Sequence, residues 1–123
     1  LTIYRFPRVL ILSLKRFETT TNSLTGRTTA HAKDNSLVRF PADALDLSDY
    51  CSDSVKPRSK NAPVYDLFAV SNHSGSLHGG HYTAYAKCGQ QWCSFSDSRV
   101  STMSPAMAVS REAYVLFYRR RAS

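Results

Sequence analysis

The sequence predicts a mainly β fold, an antiparallel sheet with little helix, on three observations. Its apolar runs are short and rich in Val, Ile, Leu, Phe and Tyr, the pattern of strands bounded by turns. Two of them, His81 to Cys88 and Gln91 to Phe95, are separated by Gly89-Gln90, a spacing typical of a hairpin. A third run, Glu112 to Tyr118, is apolar on both faces and reads as a central strand. The chain has 123 residues, enough for one compact unit, and it contains no internal repeat.

The elements follow in order. Residues 1 to 6 read as a short strand, and Arg8 to Phe17 as a longer one behind Pro7, apolar on both faces at first and half polar at its end. Glu18 to Ser36 is polar and rich in Thr, Asn and Ser, so it reads as a long loop of functional or mobile character. Val38 to Pro41 reads as a short strand stopped by proline, and Asp43 to Tyr50 as one or two helical turns. A second polar loop, Cys51 to Ala62, precedes the strand Val64 to Asn72. After the hairpin, Ser104-Pro105 opens a short helix with Ser104 as N-cap and proline at the first position.

Composition excludes several classes of function. Hydrophobic residues make up 42% and charged residues 20%, which is ordinary for a globular chain and unlike a disordered one. The longest apolar run, Ala113 to Tyr118, falls far short of the roughly 20 residues of a membrane helix. No signal peptide opens the sequence, and a start at Leu1 reads as a trimmed part of something longer. The net charge of +7 comes from scattered Lys and Arg, with one block at Arg119-Arg120-Arg121. Scattered charge reads as a solvated face, so a nucleic-acid partner is the weaker reading. Three cysteines, Cys51, Cys88 and Cys93, without a Cys-x-x-Cys pair, predict a reducing compartment and no zinc site made by this chain alone.

The densest chemistry lies between Ser71 and Tyr85, where His73, His78 and His81 fall among Gly75, Gly79 and Gly80. Three histidines could ligate a metal, but a Gly/Ser loop lacks the regular spacing that makes such a site specific, and no metal or other cofactor is predicted. A solvated turn that happens to carry histidines is the plainest reading. The sharper one is catalytic. Gly79-Gly80 admits the close approach of another backbone, and His81 then starts a strand that holds its ring beside that opening, as a general base for a thiol requires.

Such a base needs an orienting partner on its other nitrogen. With a two-residue turn at Gly89-Gln90, Cys88 pairs with Gln91 and His81 with Ser98. Ser96 then shares the His81 face, and Asp97 points away. A bulge reverses this order, and spacing alone does not choose between them. Asp97 could equally be a turn former ahead of Ser98. No nucleophile completes the set. Cys88 is ~23 Å from His81 along a straight strand, Cys93 is similarly remote, and Cys51 has no activating neighbour in sequence.

Several segments together resemble the C-terminal half of the catalytic domain of ubiquitin-specific proteases, papain-like cysteine deubiquitinases. They are Leu14-Lys15-Arg16-Phe17, Val38-Arg39-Phe40-Pro41, Tyr65 to Gly75, Gly79 to Tyr85, Trp92 to Val100 and Ala113 to Tyr118. The resemblance runs from about Leu1 to Tyr118 and rests most heavily on Gly-Gly-His-Tyr with the downstream Trp-x-x-Phe-x-Asp-Ser-x-Val.

The resemblance implies that this mainly β chain is the palm and histidine-box part, residues 1–123, of a larger α+β papain-like catalytic domain. His81 would be the catalytic base. Ser96 stands where the family commonly has Asp or Asn, so Ser96 or Asp97 would be the third member of the triad. Gly79, Gly80, Tyr82, His73 and His78 would line the channel for the tail of ubiquitin, bordered by residues 18–36 and 72–79. The nucleophilic Cys would come from an N-terminal half of the domain that is not in this chain. Ubiquitin and ubiquitinated proteins are the partners so implied, in the cytoplasm or nucleus. The alternative is a non-catalytic ubiquitin-binding or scaffolding module.

Overall fold

The computed structural model describes residues 1–21, 23–52, 62–76 and 79–122. Among them, seven strands form one antiparallel sheet in the order β1 (Val9–Ser13), β9 (Ala113–Arg120), β5 (Val64–Ser74), β6 (His81–Cys88), β7 (Gln91–Ser96) and β8 (Arg99–Met103). The seventh, β4 (Leu45–Asp46), pairs with the start of β5. A separate two-stranded hairpin joins β2 (Phe17–Thr21) to β3 (Thr28–Lys33). Among the described residues, helix is confined to two short 3-10 turns, Ser48–Tyr50 and Pro105–Ala108. None of the described helices is long and apolar enough to cross a membrane.

The run apolar on both faces that forms β9 is an inner strand, whereas β1, which reads the same way at first, is an edge strand with Val9 and Ile11 exposed. β9 lies between β1 and β5, with Leu12 opposite Leu116 and Val70 opposite Leu116 on its other side. A bulge at Phe68 changes the alternation of β5, so Leu67 and Val70 both face the core although three residues apart. Tyr65, Leu67, Val70, Trp92, Leu116 and Tyr118 are almost wholly buried there. The phenols find partners. Tyr65 donates to the Pro7 carbonyl at 2.5 Å and Tyr118 to the Pro41 carbonyl at 2.8 Å, while burial pushes the Tyr118 phenol up to about 12. On the opposite face the Arg119 guanidinium stacks over Phe68, 4.9 Å from the ring centre.

Several local expectations are corrected. Residues 1 to 6 form no strand; Ile3 makes only an isolated parallel bridge with Cys51. Val38–Pro41 is not a strand either, because the neighbouring carbonyls are taken by side chains, Ser36 by Arg16 and Pro41 by Tyr118. The polar stretch after Phe17 is a hairpin rich in threonine, a β-branched residue that favours strands. Phe17 opens that hairpin and does not end β1, since the chain leaves the sheet at Leu14 to Arg16. Asp43 to Tyr50 holds a single 3-10 turn beside β4, and the Ser104 side chain makes no capping bond. The sequence reading also missed β8 (Arg99–Met103), whose side chains are mostly exposed and polar.

Candidate active site at the start of strand β6

The connection from β5 to β6 is pinched together by glycine. Gly75 takes φ 91°, a left-handed conformation open to glycine, and a Cβ there would stand 3.0 Å from the Gly79 carbonyl oxygen. The Gly79 amide donates to Ser76 Oγ at 3.1 Å. His78, expected to line a tail channel, lies outside the described residues. Gly79 and Gly80 are both exposed.

His81 is the first residue of β6, opposite Ser74, and its side chain is exposed. It is therefore solvent-accessible yet attached to a strand paired on both sides further along, with Ala84 bonded to Ser71 and Phe95. The Gly89-Gln90 turn holds two residues, since Cys88 pairs with Gln91. Continuing the alternation from Ala84 opposite Phe95 puts Ser96 on the His81 face. Asp97 leaves the pleat. With φ 52° it occupies the tight turn that sends β7 back as β8, where Ser96 pairs with Arg99. Among the described residues neither Ser96 nor Asp97 is hydrogen-bonded to the His81 ring.

His73 is placed very differently. It pairs with Tyr82 one step along the ladder from the Ser74–His81 pair, so its ring is on the opposite face of the sheet from His81. The His73 and His81 rings therefore do not converge, and among the described residues no three His, Cys, Asp or Glu side chains form a cluster that could hold a metal. The His73 ring is 2% exposed and packed by Tyr82 at 4.8 Å, Phe17 at 5.4 Å and Tyr114 at 6.0 Å between ring centres. Burial, with the Lys33 charge, holds the imidazole below its ordinary value, which favours the neutral ring. Tyr82 is 60% exposed above it.

Sequence reasoning missed the supports of this site. Arg16 is 3% exposed, with Nε donating to the Ala113 carbonyl at 2.6 Å and one terminal nitrogen to the Asp34 and Ser36 carbonyls at 3.0 and 2.8 Å. Lys33 Nζ donates to the His73 carbonyl at 2.9 Å. Asn72 is 1% exposed, and among the described residues both its amide atoms are unpartnered. A polar residue at the end of an apolar run was the available signal for Arg16 and Asn72, whereas Lys33 lies inside a polar stretch.

The three cysteines are remote from His81 in the topology. Cys51 bridges Ile3, and Cys88 and Cys93 flank the far tip of the β6–β7 hairpin. Burial and the neighbouring Cys88 thiol push the Cys93 thiol up, opposite to what a nucleophile needs.

The ubiquitin carboxyl-terminal hydrolase family profile matches residues 1–118. Ubiquitin carboxyl-terminal hydrolase 21 of Rattus norvegicus is 46% identical over 118 residues, covering 96% of this chain and 19% of that protein. Ubiquitin carboxyl-terminal hydrolase 19 of Homo sapiens is 43% identical over 132 residues, covering 100% of this chain and 9% of that protein. Among solved structures, the SAGA Ubp8/Sgf11/Sus1/Sgf73 DUB module bound to ubiquitin aldehyde matches with a TM-score of 0.81 and 36% identity, over 98% of this chain and 26% of that one. The chain thus spans a minor part of the relatives it matches.

Proposed function

This chain belongs to the ubiquitin carboxyl-terminal hydrolase family, and from that membership we propose that it carries the general-base side of a thiol-dependent deubiquitinase site. The observation that carries the reading is an exposed imidazole on the first residue of a paired strand, directly after two glycines that leave room for an extended peptide. His81 takes the proton of a cysteine thiol, and the thiolate attacks the carbonyl carbon of ubiquitin's terminal glycine. The imidazolium then gives its proton to the departing lysine amine, and water hydrolyses the thioester. Ser96 or Asp97 orients the ring. The thiol comes from a segment other than Cys51, Cys88 or Cys93. Support for this is the position of all three away from the start of β6.

Ubiquitin and ubiquitinated proteins are the proposed partners, with the tail running between the β2–β3 hairpin and the β5–β6 connection. The remoteness of the three cysteines also favours a second reading, a module that holds ubiquitin without cutting it.

The test uses the full-length protein carrying this chain and ubiquitin bearing a C-terminal fluorophore. His81→Ala should lower kcat by at least a hundredfold and leave the ubiquitin Kd within about threefold. Serine at Cys51, Cys88 and Cys93 together should leave kcat within about twofold. The 123-residue chain alone should show no turnover. A wild-type protein that binds ubiquitin and never cleaves it would favour the scaffolding module.

A further inference from the structure

The two glycines before His81 stand in different surroundings. Among the described residues, a Cβ on Gly79 would meet only Ser76 Oγ, at 3.4 Å. A Cβ on Gly80 would lie 1.8 Å from His73 Nε2, 2.4 Å from Cε1 and 2.9 Å from Cδ2. Neither glycine has a positive φ, so the space around each decides what it tolerates. Gly80 is therefore glycine because of the ring beneath it. The same ring is closely packed. Tyr82 and Phe17 pack its edges, its amide donates to the Glu112 carbonyl at 2.9 Å, and its carbonyl accepts from Lys33. Its Nδ1 is buried without a partner among the described residues, and the rings of Tyr82, Phe17 and Tyr114 surround it.

From this geometry we propose that His73 is a positioning residue: its imidazole is the seat against which Gly80 is pressed, and this contact fixes where β6 begins and so where His81 stands. The inference rests on the proposed role of His81 as base. It also divides the work of the glycine pair. Gly80 faces the seat, on the His73 and Tyr82 side, and Gly79 faces the open side. Histidine and glycine then form one fitted unit, and enlarging Gly80 displaces the residue next to it, His81. A shift of about 1 Å in a catalytic group can cost a hundredfold in rate. His73 reaches this effect without touching substrate.

The full-length protein carrying this chain provides the test, with four variants: Gly80→Ala, Gly79→Ala, His73→Ala, and Gly80→Ala with His73→Ala. With fluorogenic ubiquitin, Gly80→Ala should lower kcat about a hundredfold with KM within about threefold. Shrinking the seat in the double variant should return at least tenfold of that loss. Gly79→Ala should act on KM and gain nothing from His73→Ala. A double variant no faster than Gly80→Ala would overturn the proposal, as would a Gly80→Ala effect confined to KM, which would mean a blocked tail. The His81 amide and imidazole NMR signals give a readout independent of turnover. They should move in Gly80→Ala and His73→Ala, and move back in the double variant relative to Gly80→Ala. Unchanged His81 signals in His73→Ala would also overturn it, even if Gly80→Ala alone fails to fold. A wild-type protein without hydrolase activity would refute the proposed function and leave the seat to be decided by these signals.

Discussion

Lys33 donates from Nζ to the carbonyl oxygen of His73 across 2.9 Å, and this bond fastens the β2–β3 hairpin to the main sheet. The hairpin pairs with no strand of that sheet, so its attachment depends on side chains. Phe17, at the hairpin's base, adds its ring to the His73 and Tyr114 rings.

Removing that donor should loosen the hairpin and spare the sheet. A charged donor on a partly exposed bond is worth ~1 kcal/mol here. Amide exchange in β2 and β3 of Lys33→Met should therefore quicken by about fivefold, with β5 and β9 unchanged. Equal acceleration in all four strands would show that Lys33 supports the whole fold.

Arg16 carries a larger share of stability. Its guanidinium joins the carbonyls of Ala113, Asp34 and Ser36, from two separate chain segments, in a buried position. Arg16→Ala should cost about 3 kcal/mol in denaturant unfolding, because three carbonyls lose their donor at once. Arg16→Lys should recover less than half, since one ammonium cannot span the fork. Full recovery by lysine would refute this account.

The orienting residue is open to a direct comparison. Strand alternation puts Ser96 on the His81 face, and Asp97 sits in the turn at φ 52°. Ser96→Ala should lower kcat/KM by about tenfold or more in the full-length protein. Asp97→Ala should be similarly damaging only if its carboxylate swings back to the imidazolium, which a negative charge stabilises better than a hydroxyl. If neither variant slows the enzyme tenfold, neither residue orients His81.

His73 should make the fold sensitive to acid. Burial holds its folded value below the ordinary ~6.5. Below that ordinary value the unfolded chain takes up a proton that the folded chain refuses, so stability rises with pH through this window and falls on acidification. Unfolding free energy measured from pH 7.5 down to 5.5 should decline for the wild type and decline less steeply for His73→Gln, which cannot titrate. Identical slopes would mean that the buried ring takes no part.

Some of this protein was legible from residues alone. Strand β6 and the two-residue turn after it follow from an alternating apolar run ended by Gly89-Gln90, and β9 from a run apolar on both faces. Local chemistry decides such elements, because period and turn residues are written in consecutive positions. The family resemblance, too, lay in short motifs around His81. What the sequence could not decide was which face each motif residue takes and what lies beneath it. His73 and His81 are eight positions apart and look alike in the sequence, yet the β5–β6 register puts one in an aromatic core and the other in solvent. Register is a relation between strands, set by bulges such as that at Phe68 and by packing from distant segments such as Phe17 and Tyr114. No local pattern encodes it. The threonine hairpin was hidden for the same reason, since its strands are held by pairing with each other and by Lys33, and polar alternation gives no sign of a buried face.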